Sequence, residues 1–209
     1  MTLPECTTQD LTKEKSLWDI YSASRRIHSG KFNKMATLIV FGLLFLQCWI
    51  SEQSVSSTID VVRKVADIGL VAALSTLGLL LAGFTIFATI SQPSLLLRMS
   101  EETHPDSGLS WLKHNFFIFV RVLIYYMFFS VFCLFIIMFG HKDGLIGTLI
   151  SYSPHPTELK FFIAKSSYVA FFTGFFFLLL QLKSFIFNVY HAVMTALRWK
   201  AEGYDNETT

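Results

Sequence analysis

Four long apolar stretches dominate the hydrophobic pattern of the chain. They lie at about residues 35–55, 68–90, 116–140 and 161–183, and shorter polar segments separate them. Because a helix needs about 20 largely apolar residues to cross about 30 Å of hydrocarbon, the pattern predicts four transmembrane helices. The first stretch is the shortest, and an interfacial helix is the alternative for it. The predicted fold is all-α, a polytopic membrane protein whose four transmembrane helices form a bundle.

Both ends of the chain are predicted to form amphipathic cytoplasmic helices. At the amino end, Asp10 is expected to cap a helix that reaches about His28, with Glu14 near its first turn. After Lys183, polar residues recur every three or four positions, which predicts that the fourth helix continues without a break. The predicted organisation is a cytoplasmic segment (1–34), a transmembrane domain with its helical extension (35–199) and a flexible tail (200–209).

The distribution of basic residues predicts the orientation. The chain has 17 Lys and Arg residues. Placing both termini and the second loop in the cytoplasm puts twelve of these residues inside and five outside. Since cytoplasmic flanks carry the excess of Lys and Arg, we expect both termini to be cytoplasmic. The chain is predicted to cross the membrane several times.

Composition excludes several classes of protein. Of the 209 residues, 53% are hydrophobic and only 15% are charged, whereas a soluble domain carries about a quarter charged residues. Intrinsic disorder, a disulfide scaffold and a large soluble domain are excluded. The lipid bilayer is therefore the first expected partner. The net charge of +2 indicates little about others, and we expect no direct binding of nucleic acid.

Small residues make up nearly half of the second stretch. Small side chains allow helix backbones to approach closely where lipid supplies no hydrophobic drive between helices. This helix is therefore predicted to be the central packing helix, within the subunit or between subunits, and plain bundle packing is favoured over a defined dimer motif. The predicted packing and oligomerisation residues are Gly69, Ala73, Gly78, Ala82 and Gly83.

Candidate chemistry is sparse. Arg121 is the one strongly charged residue well inside an otherwise apolar stretch, which makes it a functional candidate. It lies only a turn or two from the cytoplasmic end, so snorkelling to the headgroups is favoured, with a polar contact inside an oligomer second. The six His residues show no paired metal-ligand spacing. No catalytic motif occurs, and we expect no enzyme activity, no metal site and no cofactor.

The two predicted cytoplasmic helices carry aromatic and basic side chains that suit protein contacts. Two roles remain possible for these helices: an interfacial membrane anchor, or a surface that docks another protein. The candidate docking residues are Trp18, Tyr21, Arg25, Arg26, His191, Arg198 and Trp199.

Small size, four spans, cytoplasmic ends and the lack of a catalytic motif together resemble the compact membrane subunits of bacterial anti-phage systems. In organisation the chain is similar to the KwaA membrane subunits of the Kiwa system. Residues 78–87 (GLLLAGFTIF) also resemble segments of uncharacterised bacterial membrane proteins. The resemblance covers span count and length, and no functional residue is carried over. It implies a homo-oligomer that senses perturbation of the envelope and holds a cytosolic effector.

The leading functional prediction is thus a non-enzymatic inner-membrane sensor or scaffold that homo-oligomerises and docks a cytosolic effector, with a role in anti-phage defence. Two alternatives stay open. An oligomer of this size could form an ion-conducting pore, or the protein could confer immunity against a membrane-active toxin.

Overall fold

A computed structural model describes residues 12–27, 30–50, 54–141 and 144–203. These residues contain no β-strand, and a single bridge joins Thr103 and Ser110. The all-helical prediction is confirmed for this part of the chain. Its helices are α1 (Leu17–Ser24), α2 (Lys31–Ile50), α3 (Val55–Ile90), α4 (Pro93–Glu101), α5 (Trp111–Phe139), α6 (Leu145–Ser151) and α7 (Pro156–Ala201).

Four of the described helices, α2, α3, α5 and α7, are long and apolar enough to cross a membrane. They indicate a multi-pass membrane protein, as the hydrophobic pattern predicted. The first predicted span, 35–55, differs at its end, because α2 ends at Ile50 and Val55 belongs to α3. Helices α3 and α7 extend further than their apolar stretches do. The second predicted span began at residue 68, whereas α3 begins at Val55 and includes the charged residues Arg63 and Lys64. Likewise α7 is one helix of 46 residues that continues well past Lys183. Hydropathy marks only the apolar part of a helix, because charged turns keep the same backbone.

The chain divides into two compact units. The first comprises the described parts of Met1–Ser29, Gly78–Ile124 and Gln181–Thr209. Its core is aromatic: Phe119 is 1% exposed and packs edge-on against Phe185, with ring centroids 5.3 Å apart. A Cβ atom on Gly83 would lie 3.3 Å from the Phe185 ring. Glycine at that position therefore allows α3 to lie close to this aromatic cluster.

The second unit comprises the described parts of Gly30–Leu77 and Tyr125–Leu180. Phe171 is 0% exposed at its centre, and its ring lies 5.3 Å from that of Phe129. Gly69 allows this packing, since a Cβ atom there would lie only 2.6 Å from Cζ of Phe171. The hydroxyl of Tyr126 donates to the carbonyl of Leu178 at 3.1 Å, so the polar end of that buried ring has a partner.

Helix α2 is the most exposed of the four long helices. Asn33 is its one buried residue, and the side-chain amide of Asn33 donates to the carbonyl of Leu180 at 3.3 Å. At the other end of α2, the ammonium group of Lys165 donates to the carbonyl of Cys48. These two hydrogen bonds attach α2 to α7, while its large apolar side chains remain exposed for contact with lipid or with another protein.

Candidate functional site

The first feature of interest is the short helix α1. It begins at Leu17 and is capped by Ser16, whose hydroxyl accepts from the N–H of Asp19 at 3.1 Å. The Asp19 carboxylate in turn accepts from the N–H of Ser16 at 3.0 Å. This reciprocal capping box satisfies two backbone donors at once. The predicted cap Asp10 lies outside the described residues, and within them α1 begins at Leu17.

The other end of α1 is attached to α5 by Arg121. Its guanidinium Nη1 donates to the carbonyls of Ser24 at 2.9 Å and Ile27 at 3.0 Å. Arg121 is only 6% exposed. The interpretation that it snorkels to the headgroups is therefore wrong, because its charge is used inside the protein. The carbonyl of Ser24 lies at the C-terminal end of α1, where the helix carries partial negative charge that favours a cation, and Ile27 lies in the turn that follows.

A second contact holds the segment before α1. Glu14 and Lys113 form an ion pair with 2.5 Å between Oε2 and Nζ, and both side chains are largely buried. We call the Glu14–Lys113 pair and the Arg121 hydrogen bonds together the α1 anchor. Because the anchor joins residues about a hundred positions apart in sequence, no local pattern could have revealed it. The single charge of Arg121 within an apolar stretch was the one feature of the sequence that pointed to this contact.

A histidine cluster lies between α4 and α5. Gly108 has a φ of +66°. The backbone carbonyl of His104 accepts from the N–H of Gly108, and the backbone N–H of His104 donates to the carbonyl of Leu109. This tight turn places His104 over the first turn of α5, where His114 lies. The two imidazole rings stack with centroids 3.8 Å apart and planes 1° from parallel. The ring of Trp111 lies 4.2 Å from that of His104. The ten-residue spacing of the two histidines gave no indication of this contact.

The hydrogen bonds of the cluster limit its chemistry. Nδ1 of His104 accepts from the N–H of Asp106 at 3.2 Å, and Nδ1 of His114 lies 2.9 Å from the hydroxyl of Ser107. One nitrogen of each ring is therefore already engaged. Among the described residues, no three His, Cys, Asp or Glu side chains come together in a way that could hold a metal ion. The ring stack and these hydrogen bonds join the turn between α4 and α5 to the first turn of α5.

The predicted packing residues of α3 divide between two sides of the helix. Gly69 and Ala73 are buried in the second unit, and Gly69 lies against Phe171 and Cys133. In the first unit, Gly83 lies against Phe185, but a Cβ atom on Gly78 would meet nothing within 4 Å. Ala82 is exposed as well. Three of the five predicted residues, Gly69, Ala73 and Gly83, therefore pack inside the chain. Gly78 and Ala82 face outward.

The predicted docking residues of α1 are mostly exposed. Trp18 is 67% exposed, and its ring contacts that of Tyr21 at 5.5 Å. Arg25 and Arg26 follow directly and are exposed too. An exposed aromatic side chain thus lies on α1, and two exposed guanidinium groups follow its last turn.

The predicted docking residues of α7 lie along its last turns. His191 is exposed and contacts the ring of Phe187 at 4.5 Å. Arg198 is exposed and pairs with Glu202 at 2.6 Å, whereas Trp199 is half-buried. A small cavity of about 140 Å³ lies beside His191. Its wall includes Asn188, which the polar periodicity of this helix had already marked, and Asn115 of α5, which the sequence had not.

Comparison with known proteins adds no relative to this picture. No family model matches the chain, and neither a curated protein nor a solved structure matches it.

Proposed function

We propose that this protein is a non-enzymatic membrane sensor or scaffold that assembles into a homo-oligomer and docks a cytosolic effector. The observation that supports assembly is an exposed face of small residues on α3. Four residues, spaced four, three and four positions apart, lie on one side of the helix and are all exposed. We call these residues the α3 face: Gly78, Ala82, Thr85 and Thr89.

The chemistry of the α3 face suits contact with another helix. Gly78 and Ala82 add almost no side chain, so a second backbone can approach closely. The hydroxyl of Thr85 donates to the carbonyl of Leu81 at 2.9 Å, and that of Thr89 donates to the carbonyl of Thr85 at 3.0 Å. Because both hydroxyl hydrogens are bonded within the helix, covering the face leaves no donor unpaired.

The α1 anchor supports the docking part of the proposal. An eight-residue helix is too short to persist alone in water, yet the capping box and Arg121 hold α1 at both ends. The helix thereby presents Leu17 and Trp18 on its surface, both more than half exposed. Tryptophan and arginine are the residues most often found at the energetic centres of protein interfaces.

Cysteine cross-linking in native membranes tests assembly. Gly78→Cys is made in a background with Cys6→Ser and Cys48→Ser, and Cys133 is retained because it is buried. We expect a disulfide-linked dimer after mild oxidation, since the α3 faces of two copies would lie in contact. Leu79→Cys is the matched control. It is adjacent and exposed, but it points about 100° away around the helix.

The two cysteine variants distinguish a specific contact between copies from cross-linking by random encounters in the membrane. A dimer that forms with Gly78→Cys and not with Leu79→Cys supports the proposal. Equal cross-linking of both variants, or none with Gly78→Cys, would contradict it.

Native mass spectrometry of gently solubilised protein then tests docking. Trp18→Ala should remove a bound soluble protein while leaving the oligomer intact.

A pore is the second candidate, because the α3 face also carries hydroxyl groups. Exposed threonines can line a water-filled channel when several copies surround it. Purified protein in liposomes distinguishes the two functions. The scaffold proposal expects no ion conductance over a range of voltages, whereas a conductance that changes with Thr85→Val would favour the pore.

A further inference from the structure

The second unit contains a cavity of about 470 Å³, within the size range of small-molecule binding sites. The first turns of α3, the end of α5, helix α6 and the start of α7 enclose it. Most of its wall is aliphatic or aromatic. Representative wall residues are Ile59, Val62, Phe132, Ile136, Ile150 and Ile163.

The rim of this cavity is cationic. Arg63, His141 and Lys160 all contribute to its lining, and none of the lining residues is acidic. The guanidinium Nη2 of Arg63 lies 3.1 Å from Nε2 of His141, which fixes the direction of the arginine. Among the described residues, neither Arg63 nor Lys160 forms an ion pair. Two permanent positive charges are thus available at the mouth of an apolar cavity.

The cavity is accessible from the surface of the unit. Phe135 contributes to its wall and is 51% exposed, and His141 is exposed as well. Three of the helices that form the wall, α3, α5 and α7, are long enough to cross a membrane. A molecule dissolved in the bilayer can therefore reach the apolar wall, with its polar end beside the basic rim.

We propose that this cavity binds an anionic phospholipid of the membrane. An acyl chain would pack against the aliphatic wall, and the phosphate of the headgroup would accept hydrogen bonds from Arg63 and Lys160. Guanidinium groups bind phosphate through paired, charge-assisted hydrogen bonds, and basic pockets between membrane helices are suited to anionic headgroups. The proposal does not depend on assembly of the protein or on an effector.

Binding is measured by native mass spectrometry of delipidated protein titrated with phosphatidylglycerol or phosphatidylcholine of identical acyl chains. We expect phosphatidylglycerol to bind about tenfold more tightly, because it carries a net negative charge. The double variant Arg63→Gln with Lys160→Gln should abolish this preference. Lys64→Gln is the matched control, since Lys64 is exposed and adjacent but does not line the cavity.

A variant of the wall tests the apolar part of the site. Ile163→Phe adds volume inside the cavity and keeps both charges, so it should weaken binding of phosphatidylglycerol. Equal binding of the two lipids by the unaltered protein would overturn the proposal. An equal loss of preference in Lys64→Gln would overturn it too, as would displacement of the lipid by an equal concentration of inorganic phosphate, because the acyl chain would then contribute nothing.

Discussion

Arg121 shows how one charged side chain determines where a distant segment lies. A buried guanidinium is costly unless hydrogen bonds compensate its lost hydration. Buried carbonyls are costly too when they lack sufficient donors, and those of Ser24, the last residue of α1, and Ile27, in the turn after it, belong to buried residues. The hydrogen bonds from Arg121 to Ser24 and Ile27 remove both costs at once. The charge is therefore a structural link between α1 and α5.

Replacing Arg121 with glutamine should lower the free energy of unfolding by about 2–3 kcal/mol, because a charged donor to two buried carbonyls is lost. The measurement is chemical denaturation of the purified protein in detergent. Arg98→Gln provides the matched control. Arg98 is exposed and pairs with Glu101 and Glu102 at the surface, so its loss should cost at most about 0.5 kcal/mol. Equal losses for the two variants would exclude the structural role of Arg121.

Two glycines of α3 provide a second test at the scale of single residues. Gly69→Ala places a methyl group 2.6 Å from Cζ of Phe171, which is fully buried and cannot move freely. We expect a loss of about 1–3 kcal/mol from overpacking. Within a single chain Gly78→Ala meets open space, so in the monomer it should be neutral or stabilising by up to about 1 kcal/mol, since alanine favours helix. The order of the two unfolding midpoints checks this prediction, and a reversed order would refute it.

At the scale of elements, α1 depends on its surroundings more than the other helices do. It has eight residues, and its helical content in isolation would be small.

The capping box of α1 is also sensitive to acid. The hydrogen bond with the Ser16 side chain lowers the pKa of Asp19 below its ordinary value. The backbone N–H groups of Lys15 and Ser16 lower it further. The ionised carboxylate is the form that completes the cap.

A lowered pKa in the folded state gives a defined dependence on pH. The stabilisation by Asp19 is present above the ordinary pKa of aspartate, and it is lost as the pH falls through the lowered pKa. We therefore expect Trp18 fluorescence to change at acid pH in a variant whose other three tryptophans are phenylalanine. Asp19→Asn should remove this transition, whereas Glu101→Gln should retain it. A transition that persists in Asp19→Asn would assign it to another group.

Helix α3 shows what a hydrophobic pattern can and cannot reveal about an element. Its small residues could be recognised from the sequence, since glycine and alanine at spacings of three and four share a face. The sequence could not decide which of them contact the same chain. Phe171 and Phe185 occupy the space beside Gly69 and Gly83, and both phenylalanines belong to α7, about a hundred residues later in the sequence.

At the scale of the whole molecule, four spanning helices would place both termini on the same side of the membrane. Reporter proteins fused to each terminus check this expectation, and reporters that reveal opposite sides would contradict it. The basic cluster around the start of α2 should set the direction. Replacing Arg25, Arg26, Lys31 and Lys34 with glutamine should invert part of the population. Replacing Lys183, Arg198 and Lys200 should have less effect, because the first spanning helix usually dominates orientation.

The sequence by itself determined that the chain is helical and which four helices can cross a membrane. That information is local, because apolar residues in runs of about 20 determine the outcome wherever the helix packs. The tertiary structure alone decided which polar groups meet. Arg121 bonds to α1, His104 stacks on His114, and Arg63 lies beside Lys160 at one cavity only because distant segments are packed together. Such contacts depend on how separate helices pack against one another. Hydropathy and residue spacing describe each helix by itself and do not determine that packing.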